Sequence, residues 1–304
     1  MTPDILFWFY KEFDVCRDRL LNVRKMNADV KVFALYGGDV SKSNEAQNAI
    51  IDLVDDFYAY PEERTPKWKW KQGEQLIAAW HRDRGQYLEW DTLFIMQWDM
   101  IILSPIGELF RHLEPGHVLF SGYTPLKDVE AWWPWGQKNH SELIAFKNYL
   151  KNELSYTGEL YACLFIIVCL PKAFLDNFIE LGSPETGFLE YKMPTLANAF
   201  NIPVSNDNTF IPWWAANPDT KNAPWHEKTL NAVSESIPTS AILSELAKPN
   251  GKRIFHPVFK IIPNSIIGTK HPGLVKYVFY IFEFFANLPK HTKQQLKNIL
   301  LRNN

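Results

Sequence analysis

Asp99 stands between two apolar runs, residues 92–97 and 100–103, in the stretch Thr-Leu-Phe-Ile-Met-Gln-Trp-Asp-Met-Ile-Ile-Leu. An ionised carboxylate is rarely placed among buried segments unless it is paired or binds a cation. A strand that delivers such a group to a crevice can hold a divalent ion against the phosphates of a ligand. The same aspartate could instead open a turn. A second chemical signal is the aromatic share of 15%, with 12 Trp, which calls for surfaces on which flat, amphipathic molecules stack.

The elements that must position Asp99 read as an alternation. Residues 5–10 have strand character, 14–26 a helical pattern, and 30–36 strand character again before Gly37-Gly38, so the chain opens as β-α-β with parallel pairing and a right-handed crossover. A helical pattern at 44–54, a short strand at 56–60, a helix from about 71 to 84 and the strand 92–97 complete a mononucleotide-binding half sheet, with its crevice at the strand carboxyl ends. Beyond it come a strand over 117–122, an aromatic loop at 132–136, a helix over 141–150 and the apolar run 160–170, read as one core strand. Pro171 suits the first turn of the next helix, and Glu190 begins or occupies another that runs to Phe200. The Asn-, Pro- and Trp-rich residues 201–250 read mostly as loop.

With 304 residues, one α/β domain with a C-terminal elaboration is expected. The 32 basic and 34 acidic residues leave a net charge of -2, which gives no electrostatic footprint for nucleic acid. Cys16, Cys163 and Cys169 form no metal-ligand spacing and read as buried free thiols. The first residues show no basic, apolar and small-residue leader pattern, and no apolar run reaches the roughly 20 residues of a membrane span, so a cytoplasmic protein is expected.

Gln97-Trp98-Asp99, Arg253-Ile254-Phe255-His256-Pro257-Val258 and Gly187-Phe188-Leu189-Glu190-Tyr191-Lys192-Met193-Pro194, in their order along residues 3–260, resemble the GT-A-fold glycosyltransferases, which move a sugar from a nucleotide diphosphate to an acceptor hydroxyl. The resemblance implies a Rossmann-like mixed α/β sheet flanked by helices. It implies a catalytic domain over residues 1–265, with a nucleotide-sugar-binding half (1–100) and an acceptor-binding half (101–265). Asp99 takes the place of the family's metal-holding acid, for Mn2+ or Mg2+, while Gln97 replaces the first acid of the motif, so an amide would take over any ribose or water contact. His256 matches a late histidine that completes the metal site or touches the diphosphate, and a structural histidine is the alternative. Glu190 matches the base that removes the acceptor proton in inverting members, with Glu185 as runner-up and a solvated helix-start glutamate as the plain alternative.

On that reading Phe9, Tyr10, Lys11, Tyr36 and Gly37, with Gly38 alongside, line the donor pocket together with Gln97 and Trp98, and Lys71 reaches a phosphate. Trp132, Trp133, Trp135, Trp213 and Trp214 flank the acceptor, offering indole faces to the apolar C–H faces of sugars, or else pack in the core. The expected activity is a glycosyltransferase acting in surface glycan or polysaccharide biosynthesis, with a glycan or glycolipid acceptor. The rivals are a non-catalytic carbohydrate-binding protein and a sugar nucleotidyltransferase, whose Gly-rich loop is missing from Tyr10-Lys11-Glu12-Phe13-Asp14. Residues 266–304 read as an amphipathic helical tail whose aromatic bulk and lysines suit either peripheral contact with an anionic membrane or packing on the core.

Overall fold

The computed structural model describes residues 1–205, 209–267 and positions 274, 275, 277, 278 and 281. The tail expected over 266–304 thus falls almost wholly outside the described residues. Among the described residues ten strands run in chain order: β1 Asp4–Phe9, β2 Val32–Tyr36, β3 Asp56–Ala59, β4 Thr92–Gln97, β5 Ile101–Ile102, β6 Leu119–Phe120, β7 Thr124–Pro125, β8 Tyr161–Ala162, β9 Val168–Pro171 and β10 Ile254–Phe255. Six of them form one sheet in the order β3-β2-β1-β4-β9-β6. The first four are parallel, and β9 enters antiparallel between β4 and β6. This is the mixed α/β sheet flanked by helices that the sequence pattern and the resemblance imply.

Alternation along the strands explains the layers. Leu6, Phe33, Leu35, Leu93 and Ile95 point to one face and pack against Leu76, Ile77 and Trp80 of helix α4. Helix α4 spans Gly73–Asp83 and follows α1 (Phe13–Met26), α2 (Ser43–Ile50) and α3 (Pro66–Lys71). Ile5, Phe7, Phe9, Ala34, Phe94 and Met96 point to the other face, against Cys16, Leu20 and Val23 of α1 and Ala46 and Ile50 of α2. The three cysteines are free and buried, as expected.

Two expected elements change shape. The helix over 71–84 starts earlier and breaks at Gln72: the Thr65 side chain accepts the Trp68 N–H, Pro66 occupies the first turn, and α3 ends before α4 begins. The apolar run 160–170 is two short strands around a loop at 163–167. Ser121 ties that loop down, donating Oγ–H to the Leu164 carbonyl at 2.7 Å and accepting the Ile167 N–H at 3.2 Å. Apolarity alone does not distinguish a continuous strand from a loop whose side chains are buried. Pro171 ends β9 and precedes the helix Lys172–Glu180 instead of lying in its first turn. No helix among the described residues is long and apolar enough to cross a membrane.

Candidate functional site

A cavity of about 800 Å³ opens at the carboxyl ends of β1, β2 and β4, where the strand ends of an open α/β sheet leave a crevice. Asp99 and His256 both line it, and both residues are buried. They meet because β10 pairs antiparallel with β5, setting Phe255 opposite Ile101, while the Val258 N–H donates to the Asp99 carbonyl at 2.6 Å. Arg19, wholly buried in α1, locks the same segment from behind: its guanidinium donates to the carbonyls of Val258 (3.0 Å) and Lys260 (2.8 Å) and pairs with Asp18.

The imidazole has a defined orientation. Nδ1 lies 2.7 Å from the Asn231 carbonyl, which can only accept, so the proton is on Nδ1 and the Nε2 lone pair of the neutral ring faces Asp99. Nε2 and Asp99 Oδ1 are 3.2 Å apart, yet each lacks a hydrogen-bond partner. Burial disfavours the imidazolium, but the Asp99 charge and the Asn231 carbonyl outweigh it and hold His256 above its ordinary pKa. In the neutral ring Nε2 and Asp99 Oδ1 are two converging buried acceptors, an imidazole nitrogen and a carboxylate oxygen that both suit a divalent cation, whereas in the protonated ring Nε2–H faces Asp99 as an ion pair. Among the described residues no third His, Cys, Asp or Glu joins them, so remaining ligands would come from substrate phosphates and water.

Glu190 lines the same cavity from the first turn of the helix Leu189–Ala199. Its Oε1 accepts the Phe165 N–H at 3.0 Å. Burial pushes the carboxyl up to about 8, against the pull of that hydrogen bond, which places it where a general base works near neutrality. The helix is anchored from below by Lys192, wholly buried, whose Nζ donates to Glu74 Oε1 and Gln72 Oε1 (both 2.5 Å) and to the Pro184 carbonyl. Gln72 in turn donates Nε2–H to the Gly187 carbonyl at 2.7 Å. Gly187 has φ 89°, and a Cβ there would press on the rings of Phe146 and Tyr191 at 3.0 Å. Glu185 points elsewhere and accepts from Trp68 Nε1.

Tyr10, Lys11, Gly37, Gly38, Gln97 and Trp98 line the cavity. Lys11 Nζ rides 5.0 Å over the Trp98 ring, next to Asp99 in sequence. Other expectations need correction. Phe9 and Tyr36 face the core, tilted against each other with ring centroids 5.2 Å apart, because both fall on the α1 side of the sheet. The glycines at 37 and 38 are demanded by their own protein neighbours: a Cβ would strike Leu76 Cδ2 at 2.4 Å or Tyr36 Oη at 2.3 Å. Lys71 is turned away from the cavity, ion-paired with Glu142 and lying 5.1 Å from the Trp135 ring. Its neighbour Lys69 lines the cavity instead and donates to the Gly38 carbonyl at 2.7 Å.

None of the five loop tryptophans lines the cavity. Trp132 and Trp133 pack edge-on against Trp214, Trp135 packs on Phe188, and Trp213 donates Nε1–H to the Thr220 carbonyl. They form an aromatic bed behind the site. The exposed indole belongs to Trp70, 51% exposed on the cavity wall and 5.2 Å from Phe188, two residues before Glu190. Asp39, Glu63, Arg64 and Phe259 are further lining residues absent from the sequence reading. The interleaving of Lys67, Lys69 and Lys71 with Trp68 and Trp70 was the signal for this wall. All five lie in α3, and their positions around that helix decide which of them face the cavity.

No known protein family matches the chain, and no curated protein matches its sequence. Among solved structures it is similar to the WbbM bifunctional glycosyltransferase, with 9% identity and a TM-score of 0.36, over 67% of this chain and 39% of that one. It is also similar to mouse xyloside xylosyltransferase 1, with 9% identity and a TM-score of 0.31, over 68% of this chain and 78% of that one. The chain thus spans well under half the length of WbbM.

Proposed function

We propose that this chain transfers a sugar from a nucleoside-diphosphate donor to a glycan hydroxyl, with inversion and metal assistance. The observation that carries the reading is one strand-end cavity lined both by the buried Asp99–His256 pair and by Glu190, whose carboxyl burial pushes up to about 8. Asp99 and His256 would hold Mn2+ or Mg2+, which when bound offsets charge on a departing diphosphate. Lys11 supplies a cation beside them. Glu190, unprotonated, takes the proton of the acceptor hydroxyl as the new glycosidic bond forms. Trp70 gives the acceptor sugar a face to stack on.

Specific binding raises a protein's thermal midpoint by mass action. A panel of nucleoside diphosphates, each with and without Mn2+, is expected to yield one nucleotide that stabilises the wild type only with the metal, and Asp99→Ala is expected to abolish that shift. No shift with any nucleotide would favour the carbohydrate-binding alternative. Trp70→Ala is expected to raise the acceptor KM about tenfold, the loss of roughly 1.4 kcal/mol of ring–sugar contact, with donor binding unchanged. Steady-state kinetics with each substrate varied in turn checks this.

A further inference from the structure

Gln97 ends β4 two residues before Asp99, and its side chain is committed within the protein. Nε2 donates to the Phe165 carbonyl at 2.6 Å. The Phe165 N–H in turn donates to Glu190 Oε1 at 3.0 Å. The flanks of this loop are fixed elsewhere: the Cys163 N–H donates to the Glu190 carbonyl, the Leu164 N–H to the Ser121 carbonyl, and the Ser121 hydroxyl spans Leu164 and Ile167. Phe165 stands at the tip, with Gln97 on its carbonyl and Glu190 on its amide. From this geometry we infer that Gln97 is a positioning residue for Glu190, acting through the Phe165 backbone, rather than a donor ligand.

The chemistry explains the residue type. A carbonyl accepts only, so the group facing it must donate; an amide does, whereas an ionised carboxylate would set acceptor against acceptor. Losing the Gln97 contact frees Phe165 to withdraw its N–H from Glu190. A hydrogen bond to the ionised carboxyl lowers its pKa, so removing one raises it. Among the described residues the Cys163 thiol is in electrostatic contact with Glu190, and burial pushes its pKa up.

The inference rests on the reading of Glu190 as a base, and Gln97→Glu and Gln97→Met separate the possibilities. If Gln97 positions Glu190, both variants keep the wild-type nucleotide-dependent thermal shift and donor KM, while kcat falls about tenfold. Gln97→Glu is the sharper case, because an acid at a ribose- or water-binding position would preserve or improve donor binding and turnover, and that outcome overturns the proposal. Infrared titration of the Glu190 carboxyl, assigned by its disappearance in Glu190→Gln, needs no turnover. The midpoint in Gln97→Met is expected about one pH unit above the wild type, and an unchanged midpoint also overturns the proposal. Full activity in Glu190→Gln would remove the base reading while leaving the infrared test of the Gln97–Phe165–Glu190 connection intact.

Discussion

Glu190→Gln loses sugar transfer by about 10²–10⁴-fold in kcat while binding the nucleotide donor as the wild type does, because general-base assistance is worth that much and the isosteric amide cannot accept the proton. In the wild type, kcat/KM for the acceptor is expected to rise with pH as Glu190 ionises and to level off above about 8, which a pH profile of initial rates checks. The stability of the same group runs the opposite way. A carboxyl whose folded pKa lies above its unfolded value binds more protons when native, so its contribution is fully present below the unfolded value near 4.5 and is lost as pH rises through about 8. Above pH 8, Glu190→Gln is therefore expected to be more stable than the wild type, by on the order of 2 kcal/mol. Urea unfolding at pH 6 and pH 9 tests it: an equal difference at both pH values contradicts a raised Glu190.

The second large effect lies beneath the site. Lys192 and Glu74 form an ion pair with neither side chain exposed, and Glu74 Oε2 has no hydrogen-bond partner. Lys192→Met leaves the Glu74 charge buried without compensation and is expected to cost about 3–5 kcal/mol in denaturant unfolding. The double variant Glu74→Met/Lys192→Met removes both charges and should recover most of that loss, since a buried pair replaced by apolar groups of similar volume is often neutral. A double variant as unstable as the single would show that Lys192 acts mainly through the Gln72 and Pro184 contacts that tie down the approach to Glu190.

The half sheet was legible from short, continuous apolar runs such as residues 5–9 alternating with helical patterns, and both faces of those strands are covered. Asp99 was legible as an acid between two apolar runs, while Glu190 came into view only through the resemblance carried by residues 187–194. His256 drew notice through its motif, but its partner Asn231 lies in a stretch read as featureless loop, and no local pattern announces a carbonyl that selects a tautomer. Lys69 and Lys71 look equivalent in sequence. Their divergence follows from helix geometry: both lie in α3, where residues two positions apart point to opposite faces. The Trp-Trp-Pro-Trp loop seemed too aromatic to bury, and the resolution is mutual: tryptophans from residues 132–135 and 214 cover one another. Gln97 departs from the motif pattern because its partner is backbone from a loop 68 residues away.

Arg19 grips carbonyls 239 and 241 positions further along the chain. A ribosome making this protein completes β1 through β9 while the Arg19 guanidinium still has no carbonyls from 258 and 260 to hold, and Asp99 waits without its histidine. The pairing of Asp99 with His256 thus arrives late in synthesis, after the main sheet is complete. Chains stalled or cut between residues 205 and 255 would carry a nearly whole sheet with an unfinished centre.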